Sequence, residues 1–348
     1  MKILYAGVHF ENYDPKRRDS FEYVNFYLTL KGMADATVIE HPFDRILEVG
    51  KKKYNEELLE IVTREKPDLF FAFMYTDELD PSTLLQIKEK TTSVAWFADD
   101  YWRFFNYSKN WAAYFTQVVT TYSRAVDWYR DAGHANVILS QWGCNAAIYK
   151  PVDVPKNIDV SFVGQYKSGR GSVVRALKDI GVDISCFGFG WPNGKVSQEQ
   201  MMDIFSSSKI SLNLTDRKSI WDPSIIARIF FKKSVNRIVP DFHFIDNINA
   251  WLHFPTQHTH ARPFELAGCR AFVISGWSED IGEYYEEGKE MVFYRNRREL
   301  VEKVQYYLAP AHDAERDAIA RAGYERTVRE HTYQKRFEEI FKKIGLLK

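Results

Sequence analysis

Short apolar runs alternate with amphipathic stretches along the first 150 residues. Lys2–Val8, Ala36–Glu40, Asp68–Phe73, Ser93–Phe97, Val118–Tyr122 and Val137–Leu139 predict strands. Asn55–Arg64 and Ser123–Ala132 predict helices, the second stopped by Gly133. Strands apolar along their whole length and separated by helices belong to a parallel sheet covered on both faces. Pro151-Val152-Asp153-Val154-Pro155 is then held extended by its two prolines and predicts an interdomain linker. Beyond it the alternation restarts. Strands are expected at Asp159–Val163, Asp183–Phe187, Lys209–Leu214, Ala271–Ser275 and Met291–Tyr294. Helices are expected at Ser172–Ile180, Gln198–Phe205, Arg298–Leu308, Ala314–Glu330 and Tyr333–Ile344. The fold class this predicts is α/β, with two doubly wound parallel-sheet domains that bind ligands outside the carboxyl ends of their strands.

One stretch breaks the pattern. Residues 215–261 are aromatic and mildly basic, with Arg217, Lys218, Trp221, Arg228, Phe230, Phe231, Lys232, Lys233, Arg237, Trp251 and Phe254. They predict an insertion carrying a helix across Ser224–Lys233. Bases mixed with rings suit a single-stranded nucleic acid, but the basic excess is small for a phosphate track. Nucleic acid is therefore disfavoured without being excluded, and a helical lid or a homodimer contact is preferred.

Composition narrows the classes. At 348 residues the chain exceeds what a single core usually supports. Its 47 basic and 47 acidic residues cancel, so no global field draws it to polyanions. Cys144, Cys186 and Cys269 lie far apart without a C-x-x-C pair, which argues against a disulfide framework or zinc ribbon and predicts a reducing, cytoplasmic setting. The N-terminal apolar run is too short for a signal peptide, and no run approaches the roughly 20 apolar residues of a membrane span. Aromatic residues make up 16% of the chain. Phe97, Tyr101, Trp102, Trp142, Tyr166, Phe189, Trp191, Trp221 and Trp251 fall at strand ends or in the insertion, where rings are expected to line a cleft and stack on sugar or base.

Three constellations carry candidate chemistry. The strand Asp159–Val163 runs into Gly164-Gln165-Tyr166-Lys167-Ser168-Gly169-Arg170-Gly171 and a helix. Glycines admit close backbone approach, the helix N-terminus offers free N–H groups, and Lys167 and Arg170 add charge, an arrangement suited to a diphosphate. A flexible turn with solvated bases is the simpler alternative. In Arg262-Pro263-Phe264-Glu265, the proline suits the first helical turn, and Glu265 can accept the hydroxyls of a ribose or merely favour the helix dipole. Asp99 and Asp100 end a central strand, as a general base, a cation ligand or a helix cap. Gly188 and Trp191 after one strand, and Asn213 ending another, are weaker ligand candidates beside ordinary turn roles. His253, His258 and His260 lack H-E-x-x-H spacing, so no metal site is expected. G-x-S-x-G is absent as well.

The order Arg262-x-Phe264-Glu265, Gly268-Cys269 and His331-Thr332-Tyr333-x-x-Arg336 resembles the CgeB-like (spore-maturation type) glycosyltransferases of GT-B fold. Trp96-Phe97-Ala98-Asp99-Asp100, Val118-Val119-Thr120-Thr121 and Gln141-Trp142-Gly143-Cys144-Asn145 resemble the same family, over nearly the whole chain outside 215–261. The resemblance implies an N-terminal acceptor-side domain at 1–152, a nucleotide-sugar-binding domain at 156–330, and a helix at 331–348 returning to the first domain. It implies a UDP- or GDP-sugar as substrate, no cofactor, and a carbohydrate, protein or other acceptor. The donor would meet Gly164, Gln165, Lys167, Arg170, Gly188, Trp191, Asn213, Arg262 and Glu265, and Asp99 and Asp100 would be catalytic. Related retaining enzymes carry two glutamates eight residues apart. Glu265 matches the second, and Gln257 stands at the first. That departure leaves room for inversion, with Asp99 or Asp100 as base, or for a non-catalytic sugar-nucleotide-binding or assembly protein.

Overall fold

The computed structural model describes residues 1–215 and 219–347. Arg217 and Lys218, counted above among the basic residues of the insertion, lie outside the described residues. The chain forms two compact units, Met1–Gln141 with Lys218–Thr256 and Gln334–Lys348, and Trp142–Arg217 with Gln257–Tyr333.

Strands β1 (Lys2–Ala6), β2 (Thr37–Glu40), β3 (Leu69–Met74), β4 (Thr92–Phe97), β5 (Gln117–Thr120) and β6 (Val137–Leu139) build the first unit's sheet. It is wholly parallel, in the order β2-β1-β3-β4-β5-β6. Every residue of β3, Leu-Phe-Phe-Ala-Phe-Met, is buried, as a central strand covered on both faces requires. Helix Lys51–Glu65 buries Tyr54, Leu58 and Val62 along one stripe and ends at Lys66 in the left-handed region. Helix Tyr333–Lys343 also belongs here almost entirely, its Phe337 ring lying 5.5 Å from Phe26 and 5.7 Å from Phe71.

The second unit's sheet takes β7 (Ile158–Val163), β8 (Ile184–Phe187) and β9 (Ser208–Asn213). After the antiparallel hairpin β10 (Phe231–Ser234)–β11 (Arg237–Pro240) of the first unit come β12 (Val273–Gly276) and β13 (Val292–Tyr294). The order is β13-β12-β9-β7-β8, again all parallel. Helix Gln198–Ser207 starts with a reciprocal Ser197–Gln200 capping box, and Asn296 caps helix Arg297–Leu308 by accepting from the Glu299 amide at 3.0 Å. Both sheets have the doubly wound arrangement that the apolar pattern predicts.

The inserted segment departs from its expectation. No helix runs across Ser224–Lys233. Asp222 caps a short helical piece at Pro223–Ile229, and the chain then turns into the β10–β11 hairpin. Val235 sits at φ 50 in the two-residue turn, and Phe231-Lys232-Lys233-Ser234 pairs residue by residue with the strand that returns. The helix of this segment comes later, at Phe244–His253. The rings also divide differently from expectation. Phe97, Tyr101 and Trp142 are buried and so serve packing, whereas Tyr166, Phe189 and Trp221 are exposed.

Candidate functional site

In the second unit strand order reverses between β7 and β9, where doubly wound sheets bind ligands. β7 runs into Gly164, whose amide donates to Phe187 O at 2.8 Å, and Tyr166 N likewise reaches Phe189 O at 2.8 Å. The loops after β7 and β8 are thereby laced together. Gly188 is held at φ 126, and a Cβ there would fall inside contact distance of the Gly164 carbonyl. Trp191 Nε1 donates to that same carbonyl at 2.9 Å, with its ring edge-on to Tyr166 at 4.9 Å. Helix Ser168–Asp179 begins immediately afterwards, preceded by Lys167, so the N–H groups of its first turn face outward at the strand end. Gln165 lies exposed at the loop tip.

The cations there have different tasks. Arg170 spans the strand ends, donating to Gln165 O at 2.9 Å and Leu214 O at 3.2 Å, with the Phe162 ring 5.3 Å beneath it. Lys167 is half-buried at the mouth of the helix. Asn213 is buried and ties strands together, its side-chain amide donating to Ser275 Oγ at 2.9 Å while its carbonyl accepts from the Tyr294 hydroxyl.

Arg262 and Glu265 collect a second set of partners. Glu265 is buried on helix Arg262–Gly268, with Arg262 Nη1 2.7 Å from its Oε2 and the Tyr149 hydroxyl also bonded to it. Burial, and then the Glu265 charge, push the Tyr149 hydroxyl well above its usual range. Gly268 leaves no room for a Cβ beside Cys144 Sγ, and Gly143 lies against the His331–Tyr333 backbone. Cys144 N donates to His331 O at 2.9 Å, and Tyr333 N returns a bond to Cys144 O at 3.0 Å. Motif residues from three distant parts of the sequence thus converge on one helix. Burial pushes the Cys144 thiol up and the Cys269 thiol to about 12, which makes both packing groups at neutral pH.

In the first unit Asp99 and Asp100 face different surroundings. Asp100 is fully buried, accepting from Ser108 Oγ at 2.5 Å, from Tyr129 Oη at 3.0 Å and from Thr120. Burial raises its carboxyl to about 6 against those three bonds. Asp99 adopts φ 62, a strained conformation that Asp tolerates better than most residues. It lines a cavity of about 1070 Å³.

That cavity was not legible as such in the sequence. Its walls are the loop after β3 (Tyr75, Thr76, Asp77), the helical stretch 99–114, and the inserted segment. The hairpin is pinned to the loop: Lys233 Nζ donates to Tyr75 Oη at 2.9 Å, Ser234 Oγ to Asp77 Oδ2 at 2.9 Å and Val235 N to Thr76 Oγ1 at 2.8 Å. Arg228 lies over Trp102 at 4.9 Å and Phe254 at 5.4 Å, and Arg103 donates to Tyr75 O at 2.6 Å. Beneath the loop, Glu78 is buried and its carboxyl raised by burial, against bonds from Thr76 and Tyr13. Helix geometry widens to π-helical at Phe104–Ser108, which places Asn106, Tyr107 and the following turn along the wall. Carboxylates, an amide, guanidinium groups and ring faces together match the hydroxyl edges and C–H faces of a saccharide. Among the described residues, no group of three or more His, Cys, Asp and Glu is placed to hold a metal ion. The Asp77-to-Tyr75 end of β3 is the signal that would have pointed here, since it follows a central buried strand at the first sheet's own order reversal between β1 and β3.

Residues 234–342 match a family model described as glycosyl transferase-like. No protein of curated function matches the chain. Among solved structures, it is similar to sucrose-phosphate synthase from Thermosynechococcus elongatus, with a TM-score of 0.62, 10% identity, and 99% of each chain covered. A glycosyltransferase from Rickettsia africae gives 0.60 at 11% identity, covering 99% of this chain and 98% of that one. HepE from Anabaena, solved in complex with UDP and glucose, gives 0.59 at 11% identity, with both chains covered completely. The fold is that of the GT-B glycosyltransferases.

Proposed function

We propose that the protein is a glycosyltransferase, of the CgeB-like kind, that moves a sugar from a UDP- or GDP-sugar to an acceptor held in the Asp99 cavity. The observation that carries this reading is the turn at the β7–β9 reversal, where two interlocked glycine loops set Lys167 and a helix N-terminus at the strand ends. The HepE complex, which holds UDP and glucose in the same fold, supports the choice of donor.

In this reading the diphosphate meets Lys167 and the first-turn N–H groups, while Arg170 and Trp191 hold the two loops in place. Glu265, kept in position by Arg262 and Tyr149, accepts from the ribose hydroxyls. As the bond from the anomeric carbon to the departing diphosphate breaks, positive charge gathers on the sugar and negative charge on the leaving group. Fixed cations and aimed N–H groups stabilise that leaving group at about 3 kcal/mol each, so the step is served without a metal. The acceptor hydroxyl adds to the anomeric carbon with retention, its proton passing to the departing diphosphate, and Asp99 orients the acceptor. Asp100, buried behind it, supports the strand end and does not touch substrate.

Titration calorimetry with UDP-, GDP- and dTDP-sugars tests the reading. One of them should bind, and Glu265→Gln should weaken that binding by about 1.5–3 kcal/mol, the worth of a hydrogen bond to a charged group. Binding of none would overturn it. Binding with neither donor hydrolysis nor transfer would favour a sugar-nucleotide-binding protein, the role that Gln257 in place of a glutamate keeps in play.

A further inference from the structure

We propose that the exposed apolar face of the inserted segment docks on an anionic lipid bilayer, so that the cavity takes its acceptor from a membrane surface. The acceptor clause rests on the glycosyltransferase reading above, and the docking itself does not. More than half of the large apolar side chains exposed among the described residues lie between Trp221 and Leu252. Ile238 is 79% exposed, Phe242 76% and Ile245 80%, with Ile248 and Leu252 beyond them. Single exposed apolar residues are ordinary, whereas such a concentration marks an interaction surface.

The exposure is held in place by bonding. On helix Phe244–His253, Ile245, Ile248 and Leu252 follow one another at helical spacing along one face. The opposite side is locked inward. Asn247 is buried, accepting from Asn106 Nδ2 at 2.8 Å and donating to Ile229 O at 3.1 Å, and Asp246 pairs with Lys109 Nζ at 2.7 Å. Rotating the helix to hide its apolar face would break these bonds.

Charge selects the occupant. Among the described residues of the segment, Asp241 is bonded to His243 and Asp246 pairs with Lys109, while Asp222 accepts from Ser224 as a helix cap. Lys232 and Arg237 stand exposed on the hairpin. Arg237 directly precedes the exposed Ile238, so cationic and apolar side chains stand next to each other at the surface, a combination that matches the anionic headgroups and acyl boundary of a bilayer. A second copy would bring the same exposed cations into a shared interface, and a nucleic acid would leave the apolar side chains unused. The neutral overall charge speaks only to the global field, and no helix among the described residues is long and apolar enough to cross a membrane, so attachment here is peripheral. Ile238 and Phe231 belong both to this face and to the cavity wall, which places the cavity beside the lipid. The implied acceptor is an amphiphile, with its polar head in the cavity and its tail in the bilayer.

Flotation of the full chain with vesicles provides the test. It should bind phosphatidylcholine vesicles containing phosphatidylglycerol, and bind those of phosphatidylcholine alone far less. Ile245→Asp with Ile248→Asp should cut partitioning by about tenfold or more, and Arg237→Glu should remove part of the salt-sensitive fraction. Donor titration on the same preparations should be unchanged. No binding to either vesicle, or equal binding to both, would overturn the proposal. So would a dimer in light scattering that the double variant dissolves, or capture of a single-stranded oligonucleotide in place of lipid. Donor binding without vesicle binding sinks the docking alone, and vesicle binding without donor binding sinks the glycosyltransferase reading alone.

Discussion

Helices Phe244–His253 and Arg262–Gly268 follow each other closely in the chain, yet they treat water in opposite ways. The second hides Pro263 to Gly268 completely, including the Glu265 carboxylate. The first leaves Phe244, Ile245, Ile248 and Leu252 outside. Where a charge is buried, Arg262 and Tyr149 are supplied to meet it, because an unpaired buried carboxylate is costly. Where apolar surface is exposed, the described residues supply nothing to cover it. One helix is finished by its own protein and the other is left for something else.

The sharpest way to break the finished side is Gly268→Val. The new side chain would enter the space of the short, buried Cys144 side chain and approach the Tyr149 backbone carbonyl, with no long flexible tip to yield. Overpacking at so close an approach should cost about 3 kcal/mol, read as a lowered midpoint in urea unfolding. A midpoint within error of the parent would mean that this helix has slack, and the contrast with its neighbour would lose its basis.

The next effect concerns how a buried acid is kept. Burial lifts the Asp100 carboxyl from the ordinary carboxylate range to about 6, so the folded chain binds a proton that the unfolded chain has already released over that interval. Stability contributed this way is present below pH 4 and is lost as the pH rises through 6. Asp100→Asn has no such titration. Its unfolding free energy relative to the parent should improve by roughly 2–3 kcal/mol between pH 4 and pH 7, following from the pKa displacement. A difference that stays flat with pH would mean that Asp100 is already ionised when folded. It would then be a fully charged group needing stronger donors than Ser108, Thr120 and Tyr129.

How much of this was legible beforehand depends on where the signal resides. The parallel sheets were readable because β3 is apolar along its whole length and β4 over its last four residues, and such runs have few other places to go. The helical placement of Glu265 and the strand–turn–helix at Gly164 were readable because Pro263 and the flanking strands fix the local geometry. The hairpin was misread as a helix because Phe231-Lys232-Lys233-Ser234 suits either state. Its pairing with Arg237–Pro240 is decided by a strained turn at Val235 and by bonds to Tyr75, Thr76 and Asp77, more than 150 residues away. The cavity escaped for the same reason, its walls meeting only in three dimensions. Asp100 could not be told from Asp99 by sequence. Adjacent residues share composition and context, and only the left-handed turn at Asp99 sends one into the core and the other to the cavity.

The smallest expected effect falls on the unfinished helix and is informative because it is small. Ile245→Gln removes an apolar side chain that is 80% exposed, so little apolar surface buried by folding is lost and no polar atom loses a partner. The change in unfolding free energy should stay within about 0.5 kcal/mol, as for surface positions without special geometry. A core isoleucine replaced in the same way would cost several times that, since the amide would be buried without its bonds. The measurement is urea unfolding of the isolated chain, without lipid. A loss of about 2 kcal/mol would show that Ile245 is covered by its own protein in solution, which would make the two helices alike and remove the reason for an external partner. A neutral result leaves the apolar face as surface that folding does not need.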